Sequence, residues 1–413
     1  MNHGFRLVRT ETLSDYNGKA FIYEHELHHS KLIHVETPNL NNHFSISFKT
    51  TCNDDSGVNH VLEHVVLNGS RKYPIYDLFH ELSKRTLASE LNASTALDYT
   101  SYYFSTQNEK DFHNILDVFL DSVFHPNFVE DGFLMECHHL EFSDANDPSS
   151  PLKHSGVVYS EMCGELSQSL QYFSEKLRMA MLPETPYKYV FGGDPDCIAN
   201  LTLNDLIAYH KKYYSPSNSY IFHFGCFPID PILERINSFL STIEPVSENC
   251  SGYNLIQSPF TEPKFITIEG PLDPMAEQSK ACLSWHICNI KDIDLIQDFQ
   301  FLALLLAGSA STPLYQKLIK TQIGSDFTQS GVDDETPNIT FSIGLDHIKD
   351  ENIEQFKTIV FDTFKEIIEN GFTEEELQST FHQHELYIKT LTSDPGSRMS
   401  ERITGFWVNG IDP

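Results

Sequence analysis

The sequence predicts an α+β protein of two domains, and three observations carry that expectation. Period-2 apolar alternation crowds into residues 5–50, whereas the apolar residues of 109–124 recur at helical spacing. A similar succession of strand and apolar helix returns after residues 244–263, EPVSENCSGYNLIQSPFTEP, whose turn residues mark a linker. The chain has 413 residues, 40% apolar and 12% aromatic, enough for two to three packed cores. Domains are therefore expected over 1–243 and 264–413.

Taken in order, strands are expected at 20–23, 31–35 and 44–48. A helix follows over 57–69, then a polar break at 70–74 and a short amphipathic helix over 77–84. Residues 87–106, rich in Ser, Thr and Tyr, read as strand or extended edge. Phe112, Ile115, Leu116, Phe119 and Val123 form a helical core stripe that ends at His125-Pro126. Residues 143–155 read as a polar loop and 156–182 as one long helix. A Pro- and Gly-rich stretch (183–197), a helix at 203–213 and a strand at 219–225 complete the first domain. The second is expected to hold strands at 281–287 and 339–345, with helices over 295–306, up to 320, and 352–370.

Composition narrows the function. Twenty-eight basic residues against 58 acidic ones give a net charge of −30, which argues against nucleic acid and anionic membranes and would attract a basic peptide. No run of about 18 apolar residues marks a membrane span. The first twenty residues contain Glu11 and Asp15 and lack an apolar core, so neither a secretory signal nor a transit peptide is read there. Eight cysteines show no CxxC pair and read as free thiols in a reducing compartment.

The organising stretch is GVNHVLEHVVLNG, residues 57–69. At about 100° per residue, a helix there gathers His60, Glu63 and His64 within an arc of roughly 100°. Val61, Leu62, Val65 and Val66 occupy the opposite arc. His-x-x-Glu-His is the inverted zinc-peptidase signature, in which the two His bind Zn²⁺ and the Glu is the general base. Chance alone puts such a pattern in roughly one chain in fifteen of this composition, so a helix with merely solvated or packed histidines stands beside the metal reading.

A second pattern, His25-Glu26-Leu27-His28-His29, fits the ordinary zincin order but falls at a strand–turn–strand junction, where its histidines would not share a face. His347, His382 and His384 read as solvated or packed. A catalytic zinc takes three protein ligands and leaves a fourth position for water. Glu161 and Glu165, one helical turn apart, are the candidates for the third ligand and for a carboxylate that orients a histidine. Leu67, one turn beyond His64, would line the floor near a reacting carbonyl, or be plain core.

GVNHVLEHVVLNGSRKYP, ELNASTALDYTSYYFSTQNEKDF and SGVVYSEMCGEL resemble the presequence-protease branch of the pitrilysin-type zinc peptidases, which includes falcilysin-like enzymes. The likeness continues through FGGDPDCIANLT and YYSPSNSYIFHFGCFP and covers nearly the whole chain. It implies two related α/β-sandwich domains, antiparallel-rich sheets packed by helices, the second of them truncated here. The resemblance promotes Glu161 over Glu165 as the third ligand of one Zn²⁺ per chain, because Glu161 falls in the family's V-x-x-E-M segment. It also implies cleavage of short unstructured peptides, in a mitochondrial or plastid-type compartment, with the peptide added as a strand beside Asn92, Ala93 and Ser94. The family's side-chain pocket matches at Leu67 and Phe79.

Several positions depart from the family pattern. Ser94 replaces an aromatic residue, and His80 and Ser83 stand where the pocket is usually apolar, which weakens the expected preference for bulky apolar side chains. The chain stops at Pro413, while relatives run on for about as much again, with an Arg and a Tyr that grip the substrate. A non-catalytic or partner-dependent half-length subunit that binds peptides or assembles with a second chain is therefore the alternative to a self-sufficient enzyme.

Overall fold

The computed structural model describes residues 3–245, 255–271, 279–390 and 394–412. Along the chain run β1 (Phe5–Leu13), β2 (Gly18–His25), β3 (Lys31–Glu36), β4 (Asn42–Lys49), α1 (Val58–Val66), α2 (Leu78–Ser83), β5 (Glu90–Thr95), β6 (Tyr99–Thr106), α3 (Glu109–Phe124) and α4 (Glu130–Glu136). After them come β7 (His139–Phe142), β8 (Leu152–Ser155), α5 (Val157–Ser167), α6 (Ser169–Met181), α7 (Pro195–Ile198), α8 (Leu203–Tyr213), β9 (Ser219–Gly225) and α9 (Ile229–Leu240). The remainder is β10 (Ser279–Asn289), α10 (Ile293–Ala307), β11 (Asp326–Asp333), β12 (Asn338–Ile348), α11 (Ile353–Asn370), α12 (Glu374–Thr390) and α13 (Pro395–Val408).

Two compact units result: residues 1–164, 189–253 and 393–413 in one, 165–188 and 254–392 in the other. This division differs from a linear split at a linker over 244–263, of which 246–254 lie outside the described residues. Two features move the boundaries. The expected long helix over 156–182 is broken at Gln168, whose backbone is extended (φ −80°, ψ 119°), so α6 begins afresh and belongs to the second unit. At the other end α13 returns to the first unit. Its Met399, Ile403 and Trp407, spaced four apart, pack on Ile22, Ile33, Val35, Tyr220, Phe222 and Phe224.

The first unit is built on a seven-stranded sheet in the order β1-β2-β3-β9-β4-β6-β5. Only β3 and β9 run parallel; the other neighbours are antiparallel. Alternation sends Phe44 to one face, against Phe104 of β6 and Phe112 of α3. Ser45 and Ser47 go to the other, where they meet Ser400 and Thr404 of α13 at 2.6 and 3.3 Å. β5 is the last strand, so its outer edge has no strand partner among the described residues. The edge expected over 87–106 is thus a hairpin, β5 with β6.

In the second unit β12 lies between β10 and β11, all antiparallel. Leu306, Leu314, Leu318, Phe341, Ile343, Leu345, Phe356 and Val360 form its core. β11 has no clean alternation in the sequence: its register shifts between Thr328 and Gly331, a bulge that breaks the pattern. The expected polar loop over 143–155 also holds strand β8, paired with β7.

Candidate metal centre

The local sequence starts α1 sharply. Gly57 has φ +63°, and a Cβ there would meet the carbonyl oxygen of Gly192 at 2.5 Å, so only glycine fits the turn. The Gly57 carbonyl accepts the first helical bonds, from His60 and Val61. Val61, Leu62, Val65 and Val66 are at most 1% exposed and anchor the helix to the core. Burial of that arc leaves His60, Glu63 and His64 together on the other side, their ligand atoms all within 4.8 Å of one another.

Hydrogen bonds set both imidazole tautomers. His60 Nδ1 lies 3.0 Å from the Gly192 carbonyl, which can only accept, so Nδ1 carries the proton and Nε2 keeps its lone pair. His64 Nδ1 lies 3.1 Å from Glu136 Oε2, with the same consequence. Asn68 Nδ2 donates to the other Glu136 oxygen at 3.1 Å. Burial alone would raise the Glu136 pKa, but its bonds to His64 and Asn68 outweigh burial and hold the carboxylate below its ordinary value. Burial likewise pushes His64 down, yet the bond to Glu136 and the charges of Glu63, Glu136 and Glu161 hold this imidazole above its ordinary pKa.

Glu161 on α5 closes the arrangement. Its Oε2 lies 3.7 Å from His60 Nε2 and 3.8 Å from His64 Nε2. A tetrahedral ion with bonds of about 2.0–2.1 Å spaces its ligand atoms about 3.4 Å apart, so these two spacings are a few tenths of an ångström wider than such an ion requires. Glu63 shares the cluster, but its Oε2 accepts a hydrogen bond from Thr95 Oγ1 at 2.8 Å. Of the two carboxylates, Glu161 faces both lone pairs and Glu63 is held from the side by a protein donor. The structure thus brings His60, Glu63, His64 and Glu161 together.

The other nominated residues fall as follows. Glu165 lies one turn beyond Glu161 on α5, and the carboxylate hydrogen-bonded to a histidine of the cluster is Glu136. Leu67 caps α1, is 7% exposed, and accepts the backbone N–H of Phe79 at 3.1 Å, so these two residues are neighbours. Asn92, Ala93 and Ser94 lie on the edge strand β5, with Asn92 and Ser94 exposed. His80 is exposed and pairs with Asp77 at 2.6 Å; the Ser83 hydroxyl donates to the His80 carbonyl.

Sequence reasoning missed Glu136, Asn68, Thr95 and Gly192. Glu136 ends a seven-residue helix without a distinctive spacing, so no local signal marks it. Thr95 directly follows the Asn92–Ser94 stretch and could have been found by extending the strand one residue toward the helix.

The His25 pattern is spent on structure. His25 Nε2 meets Asn237 Oδ1 at 3.1 Å and His28 Nε2 the Leu240 carbonyl at 2.9 Å, while His29, at φ +57°, is an exposed partner of Glu24.

Comparison with known proteins adds the family. The description "Insulinase (Peptidase family M16)" matches residues 51–147, which contain α1, and "Peptidase M16 inactive domain" matches residues 200–383. The chain is 34% identical over 417 residues to "Presequence protease, mitochondrial" of Danio rerio, covering all of this chain and 41% of that protein. Among solved structures, a protease from Helicobacter pylori superposes with a TM-score of 0.71 at 20% identity, over 98% of this chain and 90% of that one. Pitrilysin superposes with a TM-score of 0.66 at 15% identity, over 99% of this chain and 44% of that one. The chain spans about four-tenths of the length of the curated relatives it matches. The two M16 descriptions together match more than half of the chain, and the protein belongs to peptidase family M16.

Proposed function

We propose that the chain is the zinc-binding part of an endopeptidase that degrades short unstructured peptides. One observation carries this reading: two histidine Nε2 atoms with fixed tautomers face a single Glu161 oxygen at 3.7 and 3.8 Å. The donors suit Zn²⁺, a borderline ion that takes imidazole nitrogen and carboxylate oxygen. His60, His64 and Glu161 would hold one ion per chain, and Glu136 would orient His64 from behind.

When bound, zinc lowers the pKa of a water toward about 7 and polarises a carbonyl. Glu63 then accepts the proton of the attacking water and returns it to the leaving amine. Glu165 remains a candidate for further support along α5. A peptide would pair with the open edge of β5 at Asn92, Ala93 and Ser94, a recognition mode that depends on backbone bonds and is therefore loose in sequence. Leu67 and Phe79 would receive one side chain, beside the polar His80. A net charge of −30 favours basic peptides. The name of the Danio rerio relative supports both the presequence-type substrate and a mitochondrial location.

A second reading follows from coverage. Because the chain spans 41% of that relative, a subunit that needs a C-terminal half or partner chain is the alternative. Cleavage of an unstructured basic peptide, assayed with the chain alone and with a C-terminal half added, decides between them. The peptidase reading expects turnover that a chelator abolishes and zinc restores. Chelator-resistant turnover contradicts it, and zinc-dependent turnover that appears only when the C-terminal half is added favours the subunit.

A further inference from the structure

We propose that Thr95 is a positioning residue for the Glu63 carboxylate, tying the base to the end of the edge strand on which a peptide would pair. The inference rests on the function proposed above. Glu63 is 8% exposed, and the Thr95 hydroxyl is its hydrogen-bond donor among the described residues, at 2.8 Å to Oε2. With Oε2 engaged, Oε1 is the oxygen left to take a proton. A buried carboxylate held by one hydroxyl has a defined plane; without that donor its terminal torsion is broad.

Thr95 is itself well anchored. It is the last residue of β5 and pairs with Thr100 of β6. Its Oγ1 lies 3.5 Å from Thr100 Oγ1, which lies 2.8 Å from Thr50 Oγ1. Thr50 and Thr100 are fully buried, so the hydroxyl row is fixed to the sheet interior. A β-branched residue in a strand also has a restricted χ1, which keeps Oγ1 aimed at α1. The consequence is mechanical. A peptide strand added at Asn92–Ser94 would be in register with a strand whose next residue holds the base. Helix α1 and strand β5, separate elements in the chain, are thereby linked at the point where the proton is transferred.

The test uses Thr95→Val, which preserves shape and strand preference but removes the donor, and Thr95→Ser, which keeps it. Infrared difference spectra between wild type and Glu63→Gln isolate the Glu63 carboxylate band in the metal-free chain. The proposal expects that band to shift in Thr95→Val and to stay in place in Thr95→Ser. With the basic peptide, kcat should fall about 10- to 100-fold in Thr95→Val, the range for one hydrogen bond to a charged group, with KM and zinc content unchanged and Thr95→Ser restoring most of the rate. An unshifted band in Thr95→Val overturns the proposal whether or not the chain cleaves peptides. Absence of any cleavage by wild type, with the band shifted, counts against the proposed peptidase and not against the Thr95 contact.

Discussion

Two short stretches of this chain carry almost the same letters and end differently. His25-Glu26-Leu27-His28-His29 leaves strand β2 for a turn, and the ring nitrogens of His25 and His28 are taken up by Asn237 and the Leu240 carbonyl. His60-Val61-Leu62-Glu63-His64 is one turn of a helix whose apolar arc is buried, and there the Nδ1 atoms are bonded while both Nε2 atoms face Glu161. The difference shows that a metal motif is a statement about backbone. The same residue types present their free ring nitrogens to one carboxylate when helical spacing puts them on one face and a second set of acceptors fixes the tautomer; elsewhere they become satisfied structural histidines.

The largest expected effect separates the two stretches outright. His60→Ala or His64→Ala should abolish zinc binding, measured as metal content after dialysis. His25→Ala or His28→Ala should leave one zinc per chain and lower stability by roughly 1–3 kcal/mol, as lost buried hydrogen bonds do. Next, Glu161→Gln should strip the metal and Glu165→Gln should not; the opposite outcome in the same metal assay would transfer the ligand role along α5. Glu136→Gln is expected to weaken zinc affinity about 10- to 100-fold in a competitive chelator titration, as loss of a carboxylate behind a metal-bound histidine does.

A smaller effect concerns histidines that never face a ligand. His34 and His223 share a 2.8 Å contact inside the first unit, and burial pushes the His34 pKa down to about 4. The unfolded value is about 6.5, so the unfolded chain binds the extra proton first as pH falls. The stabilising contribution of neutral His34 is then complete above about pH 6.5 and is lost toward pH 4, at most roughly 3 kcal/mol. Urea unfolding at pH 7.5 and 5 should show the loss in wild type and a flatter profile in His34→Gln.

Much of this arrangement is visible in the sequence because it is local. Helix α1, the stripe Phe112–Val123 of α3 and the alternation of Phe44, Ile46 and Phe48 follow from periodicity within a dozen residues. What escapes depends on distant pairing. Glu136 meets His64 across 72 residues, and α13 meets Ser45 across 355, so neither spacing nor composition announces them. The break at Gln168 is local, but residues 156–182 contain no Pro, and tertiary division of the chain decides it. Glu161 and Glu165 could not be separated by helical position alone; only the placement of Glu161 opposite both Nε2 atoms, together with the family resemblance, distinguishes them.

One face of α1 is proposed both to hold a metal and to supply the base. Glu63→Gln tests it most directly, with zinc content and cleavage of an unstructured basic peptide measured on the same sample, with the C-terminal half present if wild type requires it. One zinc per chain, as in wild type, and loss of cleavage are expected. Undiminished turnover, or loss of zinc together with activity, would contradict it.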